Sequence, residues 1–146
     1  MPKEALFDYW DALQRRLASQ PCLSFGPPQG NYMHVRCDDL PKGTRFSCVA
    51  LRPSSRLMVK LVLERDRAQA LACFDRLQRE KAQIETDAGQ PLEWNREIER
   101  KWQWIAISKE GVSVEDSTTW ESQHRWFKDN LLLMHRVFGR RVKGLG

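Results

Sequence analysis

The sequence contains one acid-x-lysine pair, Glu99-Arg-Lys101, an arrangement that metal-dependent nucleases place at a strand. In such enzymes two carboxylates hold Mg²⁺ and the lysine orients the attacking water, so a second acid is needed. Asp87 or Glu93 would supply it. However, 19 acidic residues among 146 positions yield about one such pair by chance. We therefore rank a Mg²⁺ nuclease below a binding function, assign no catalytic residue, and expect a protein that is not an enzyme.

Residues that bind metals show no recognisable spacing. No Cys-x-x-Cys pair joins the four cysteines, which are Cys22, Cys37, Cys48 and Cys73. His34 and Cys37 form the nearest pair, with Cys48 as a third ligand, but a tetrahedral zinc site needs a fourth. His124 and His135 lie about three turns apart on a predicted helix, with no acidic ligand beside them. We predict no metal and no cofactor, and we expect free cysteines in a cytoplasmic protein.

Basic residues concentrate in two segments of a chain whose net charge is +5. Residues 28–60 hold six lysines and arginines against two aspartates, and the segment from residue 132 onward is basic without an acid. Strand alternation places several of these cations on one polar sheet face, with Tyr32 and Phe46 nearby to stack on bases. The predicted nucleic-acid-binding residues are His34, Arg36, Arg45, Arg52 and Lys60. The alternative is an exposed sheet face whose charges serve only solubility.

Apolar residues recur at helical spacing in three segments. We predict helices over residues 4–19, 66–87 and 118–142. Lys81 lies inside the apolar stripe of the second, where we expect it to snorkel at the edge. The third helix is apolar over so much of its girth that it is central to the domain or forms an interface. Its predicted partner-interface residues are Trp120, Trp126, Phe127 and Val137. They support the alternative function, a protein-interaction module (an inhibitor or assembly subunit) or a homodimer.

Alternating apolar residues predict five strands. Three lie in an antiparallel meander over residues 32–37, 44–52 and 57–63, because the links between them are short. A short strand at Leu92–Trp94 and a longer one over residues 101–108 follow. The order of elements predicts an α+β fold: an antiparallel sheet of about five strands, with three helices packed mainly on one face of a single domain. No apolar run reaches 18 residues, so we expect no membrane contact.

A string of residues from the third strand onward resembles a known family. The string comprises Leu57-Met-Val-Lys-Leu-Val-Leu63, Phe74-Asp-Arg-Leu77, Lys81, Ile84-Glu85, Gly89, Leu92-Glu-Trp94, Trp120 and Trp126. The opening helix with Phe7 and Trp10 fits the same pattern. The chain resembles an uncharacterised bacterial family of unknown function that usually lies at the C-terminus of restriction-type nuclease-like proteins.

The resemblance covers most of the chain and supplies no catalytic residues. It implies an accessory or target-recognition role in nucleic-acid processing, in defence against phages and mobile elements, or in counter-defence. Because the 146 residues contain no nuclease half, we expect this copy to stand alone. The resemblance also implies a structural role for the odd lysine, as an ion pair between Lys81 and Glu85 beneath Trp94.

Overall fold

The computed structural model describes residues 3–21, 23–52 and 54–144, so Cys22 lies outside the described residues. The described strands are β1 (Leu23–Phe25), β2 (Tyr32–Cys37), β3 (Thr44–Leu51), β4 (Arg56–Glu64), β5 (Glu93–Asn95) and β6 (Trp102–Lys109). The described helices are α1 (Lys3–Leu17), α2 (Arg67–Gln78), α3 (Lys81–Ala88) and α4 (Trp120–Lys143), with a 3₁₀ turn at Ser117–Thr119. The predicted α+β class is confirmed, with six strands rather than five and four helices rather than three.

All neighbouring strands are antiparallel, in the order β1-β2-β3-β4-β6-β5. Strands β1 to β4 form a meander because each pair is joined by a short connection. Helices α2 and α3 then carry the chain to the edge strand β5, and the β5–β6 hairpin returns β6 against β4. The sequence did not predict β1, which is only three residues long and lies between Pro21 and the Gly26-Pro-Pro loop.

Helices cover one face of the sheet. The main hydrophobic cluster combines residues from all four helices with alternate residues of the strands. On β3 this inward set includes Phe46 and Cys48, and on β4 it includes Leu57, Val59 and Leu61. Phe46 is fully buried there. The expectation that it stacks on bases was wrong, because a strand points successive side chains to opposite faces and Phe46 therefore points away from the cations.

The predicted helix over residues 66–87 is two helices, separated at Arg79 and Glu80. Asp66 caps the first by accepting a hydrogen bond from the Gln69 amide at 3.0 Å. An unbroken helix would place Lys81 one turn after the buried Leu77, inside the core stripe. The break instead makes Lys81 the first residue of α3, where its side chain is exposed. The ammonium therefore stays hydrated, and the free-energy cost of burying a charge is avoided.

Glu85 is a structural residue, as the resemblance implied, but its partners differ. Its Oε2 accepts hydrogen bonds from the backbone amide of Leu92 at 2.8 Å and from the Trp94 indole at 3.1 Å. The Leu92 hydrogen bond and then the Trp94 hydrogen bond lower the pKa of Glu85, and Lys81 lowers it further by its charge, without forming an ion pair with it among the described residues. Glu85 therefore fixes the turn that leads from α3 into β5 through two neutral donors.

None of the helices in the described ranges combines the length and the apolar composition that crossing a bilayer requires.

Candidate functional site

A second, smaller hydrophobic cluster lies on the opposite face of the sheet, and no helical residue among the described ones belongs to it. This cluster consists only of strand residues: Val49, Met58 and Ala106 are buried, and Tyr32, Leu51 and Trp104 pack against them. We call this surface the open face. Its alternating residues come from β2, β3, β4 and β6, so the same strands that build the core also position it. The face thus combines an apolar floor with polar and aromatic side chains above it.

Strand register brings the predicted cations together on the open face. His34 on β2 pairs with Ser47 on β3, and Ser47 pairs in turn with Lys60 on β4. One step along the strands, Arg45 pairs with Val62, which pairs with Trp104. Directly opposed side chains in adjacent strands lie about 5 Å apart. The meander therefore assembles residues that lie 26 positions apart in the sequence, His34 to Lys60, into one surface.

A concavity of about 450 Å³ lies in the middle of the open face. We call it the aromatic concavity, since three rings line it: Tyr32, Trp102 and Trp104. Trp102 remains 37% exposed, which is unusual for so large an apolar side chain. His34 and Lys60 supply the polar groups between the rings. The arrangement offers a planar ligand both stacking surfaces and hydrogen-bond donors.

Lys60 lies against an aromatic ring. Its Nζ is 4.1 Å from the centroid of the Trp104 ring, which is cation–π geometry. Burial lowers the pKa of this lysine and the nearby Arg56 lowers it further, whereas Glu97 raises it. The ammonium is therefore partly stripped of water before any ligand arrives. A partly dehydrated cation costs less to transfer to an incoming anion than a fully hydrated one.

His34 has a fixed tautomer. Its Nδ1 lies 2.8 Å from the Ser47 hydroxyl and 3.3 Å from Nε of Arg45. Because a guanidinium can only donate, we assign Nδ1 as the acceptor and place the proton on Nε2. Burial lowers the pKa of this imidazole, and Arg45 and Arg36 lower it further. The Tyr32 ring lies 5.2 Å away, so the neutral histidine and the tyrosine form one aromatic unit.

A second concavity, of about 650 Å³, adjoins the turn between β2 and β3. We call it the cationic concavity because four cations line it, namely Arg36, Lys42, Arg45 and Arg65. Arg65 is held by Gly43 and Thr44, through hydrogen bonds of 3.2 Å to the carbonyl and 3.0 Å to the hydroxyl. Gly43 has φ +87°, and a Cβ there would meet the Glu64 carbonyl oxygen at 2.6 Å. Only glycine fits this turn.

Arg45 and Glu64 line both concavities and form an ion pair of 2.6 Å. Glu64 is the one acid that lines either concavity among the described residues. Arg36 makes no ion pair within those residues and is exposed. At the far end of the open face the charges instead cancel, because Arg56 pairs with Glu93 and with Glu110. Positive charge is thus in excess around Arg36, Arg45 and Lys60.

The structure places four of the five predicted nucleic-acid-binding residues on the open face. These are His34, Arg36, Arg45 and Lys60. Arg52 lies in the turn after β3, beyond the aromatic concavity. Sequence reasoning missed the contributions of Glu64 and Arg65 and did not assign Trp102 or Trp104 to this site. A signal was available for the tryptophans, since they alternate with the core-facing Gln103 and Ile105 along β6.

The residues predicted for a partner interface do not share one exposed surface. Phe127 and Val137 are buried in the main cluster, at 0% and 4% exposure. Trp120 and Trp126 are partly buried and pack against the same cluster. The Trp120 indole also donates a 2.7 Å hydrogen bond to the Val114 carbonyl. These side chains serve to attach α4 to the rest of the fold.

The ligand sets considered for metals are not assembled. His34 lies on the open face, whereas Cys37 and Cys48 lie in the core on the other side of the sheet. His124 is buried and His135 is bonded to Asp39 at 2.9 Å, so the two histidines have separate surroundings. In the described residues one group of three ligand types is close together: Cys37, Asp39 and His135. Lys143 also pairs with this aspartate at 3.4 Å.

The acids considered for a nuclease are also engaged elsewhere. Asp87 accepts a hydrogen bond from Arg141 at 2.8 Å, and Glu93 pairs with Arg56. Glu99 and Lys101 are exposed in the segment before β6 and have no carboxylate partner for a metal among the described residues. The acids considered for a Mg²⁺ site therefore do not belong to the one ligand cluster found among the described residues.

The family described as "Domain of unknown function (DUF4268)" matches residues 7–142. Because this match spans nearly the whole sequence, the chain belongs to that family. No curated protein and no solved structure matches the chain. The usual association with a restriction-type nuclease stays a prediction.

Proposed function

We propose that this member of the DUF4268 family is a non-enzymatic recognition domain that binds nucleic acid through the open face of its sheet. The observation that carries the proposal is the composition of that face: exposed or half-exposed rings beside an excess of cations, with no helix of the described residues covering them. Phosphates are neutralised by lysine and arginine, and bases stack on aromatic side chains. Both kinds of group occur here side by side.

The charge distribution supports a polyanionic ligand. The chain carries a net charge of +5, and the exposed Arg36 lines the cationic concavity together with Arg45. Like charges that share one concavity repel each other, and an anion placed between them relieves that repulsion. Glu64 compensates only Arg45. A phosphate backbone would compensate the remaining positive charge.

The biological setting that we propose is nucleic-acid processing or defence against phages and mobile elements. It rests on the resemblance described above, to a family whose members usually lie next to a nuclease-like domain. A domain that reads or holds nucleic acid beside a cutting enzyme needs affinity but no catalytic group of its own. The open face, whose carboxylates are each held by an arginine, fits that division of labour.

The proposal is tested by fluorescence anisotropy with labelled DNA and RNA at 50 and 200 mM salt. Four phosphate contacts predict that affinity falls about 50- to 150-fold between these salt concentrations. The open-face variant replaces four residues with alanine: Arg36, Arg45, Arg52 and Lys60. A matched control replaces four exposed arginines of the helical side: Arg76, Arg79, Arg136 and Arg140.

Both variants lower the net charge from +5 by four, so they are matched in total charge and differ in the surface from which it is lost. We expect the open-face variant to bind weakly with a shallow salt dependence, and the control to bind nearly as the parent protein does. Equal losses in the two variants would mean that total charge, and not this surface, governs binding. No binding of any nucleic acid at 50 mM salt would refute the proposal.

A further inference from the structure

The two concavities of the open face are contiguous and chemically different. Arg45 and Glu64 line both of them. On one side lie rings with His34 and Lys60 between them, and on the other lie Arg36, Lys42 and Arg65. A ligand that fills both must present planar apolar groups next to regularly spaced negative charges. Nucleic acid has this composition only where its bases are accessible.

We propose that the ligand is a single strand whose unpaired bases stack in the aromatic concavity while its phosphates occupy the cationic concavity. This inference rests on the proposed function and names the form of nucleic acid that the open face takes. A duplex hides the faces of its bases inside its own stack, so the rings of Tyr32 and Trp104 could not reach them. A single strand exposes bases and phosphates together.

The spacing of the rings indicates more than one nucleotide. Tyr32 on β2 and Trp104 on β6 are separated by β3 and β4, which is roughly 14 Å across the sheet at ordinary strand spacing. A single base cannot touch both rings over that separation. Each ring therefore takes its own base. Lys60 lies on β4, between the two strands that carry these rings, and is positioned for a phosphate of the backbone that runs between the two stacked bases, in addition to the phosphates in the cationic concavity.

Glu64 opposes the ligand in this arrangement. Its carboxylate is 43% exposed at the junction of the concavities and holds the Arg45 guanidinium at 2.6 Å. A phosphate that approaches Arg45 must compete with this carboxylate and is repelled by it. Replacing Glu64 with glutamine removes the negative charge and keeps a hydrogen-bond acceptor for Arg45. The exchange is therefore expected to tighten the binding of a single strand, by about three- to tenfold at 50 mM salt.

The test compares three labelled ligands of one length at 50 mM salt: a single strand, the same sequence as a duplex, and an abasic single strand. We expect the single strand to bind at least about tenfold more tightly than either of the others. Tyr32→Leu and Trp104→Leu should each reduce that preference, and Glu64→Gln should raise affinity for the single strand. Phe7→Leu is the matched control, since Phe7 is 44% exposed on α1, away from the sheet face. Thermal unfolding of each variant identifies any loss of fold.

The outcomes separate the inference from the proposed function. A preference for the single strand that falls in the folded Tyr32 and Trp104 variants, but not in the Phe7 variant, supports the inference. Equal affinity for the single strand, the duplex and the abasic strand overturns the inference and leaves a general nucleic-acid-binding face. Weaker binding by Glu64→Gln overturns the assigned role of the Arg45–Glu64 pair. Absence of binding by all three ligands overturns both proposals.

Discussion

The two faces of the sheet are built from the same four long strands and yet have opposite surroundings. On the helical face, residues such as Phe46, Val59 and Ile107 are buried against four helices. On the open face, their immediate neighbours in the chain are Arg45, Lys60 and Ser108, and rings fill the remaining area. One register thus serves stability on one side and leaves cations and rings accessible on the other. This difference is why we propose the open face as the binding surface.

His124 on the helical side of the sheet and His34 on the open face differ in the same way. His124 lies beneath α1, 1% exposed, with Nδ1 accepting a 3.0 Å hydrogen bond from Arg16. Burial, and next Arg16, lower the pKa of His124 to about 4. His34 is half-buried on the open face, and its pKa is also lowered, first by burial. The buried imidazole is tied to folding, whereas the open-face imidazole is available to a ligand.

The largest expected effect on the free energy of unfolding comes from truncating a buried side chain on the helical face. Phe127→Ala removes a fully buried ring that contacts Trp10 and Trp126. We expect the free energy of unfolding to fall by about 3–5 kcal/mol, because a large core cavity is created. Urea unfolding monitored by circular dichroism measures it. Tyr32→Ala is the open-face counterpart and should cost clearly less. A similar cost for both would contradict the contrast between the faces.

Acid should destabilise the protein through His124. The unfolded imidazole titrates near 6.5 and the folded one near 4, so the unfolded state takes up the proton first as the pH falls. The stabilisation is complete above pH 6.5 and is lost between there and pH 4, by about 3 kcal/mol in total. His124→Phe should flatten stability over this range. A profile that is equally steep in this variant would show that another group is responsible.

The turn that shapes the cationic concavity predicts a smaller effect. Gly43→Ala introduces a Cβ 2.6 Å from the Glu64 carbonyl, at a φ of +87°. We expect a loss of about 1–3 kcal/mol in the free energy of unfolding, since the turn must shift or remain strained. Gly30→Ala provides a comparison, because it has a φ of +79° but open space around its Cβ. If both cost the same, the contact with Glu64 contributes nothing and φ alone sets the cost.

The smallest effect on stability is expected at the centre of the open face. Lys60→Met keeps the apolar stem against Trp104 and removes the charge. The free energy of unfolding should change by less than about 1 kcal/mol. Affinity for nucleic acid should fall about fivefold at 50 mM salt, and the slope of log affinity against log salt should lessen by about 0.7–0.9. Unchanged affinity in this variant would remove Lys60 from the interface.

Alternation in the sequence predicted most of this architecture, because period-two patterns are local. Tyr32, His34 and Arg36 against Met33 and Val35 already indicate two faces of β2. The short β1 was missed because three residues carry too little pattern to stand out. The division of the second helix was missed because no glycine or proline marks it; Lys81 within the apolar stripe was the only signal.

The site itself was predicted in part, for a physical reason. The cations of β2, β3 and β4 could be grouped because a meander makes consecutive strands neighbours. For Trp102 and Trp104 the alternation along β6 showed that they share a face but not which strand lies beside them, since β6 is inserted beside β4 only after a long crossover through α2 and α3. The pairing of Arg45 with Glu64 depends on the register of two strands and not on any local spacing. Long-range register is what a single sequence does not display.

The central claim, that the open face binds nucleic acid, is tested most directly by two-dimensional NMR of the indole N–H groups. The protein has six tryptophans, of which Trp102 and Trp104 line the open face, whereas the other four pack with the main hydrophobic cluster: Trp10, Trp94, Trp120 and Trp126. Titration with a single-stranded oligonucleotide at 50 mM salt should shift the signals of Trp102 and Trp104 and leave those of the other four unchanged. Shifts confined to Trp120 and Trp126, or no shifts at all, would contradict the claim.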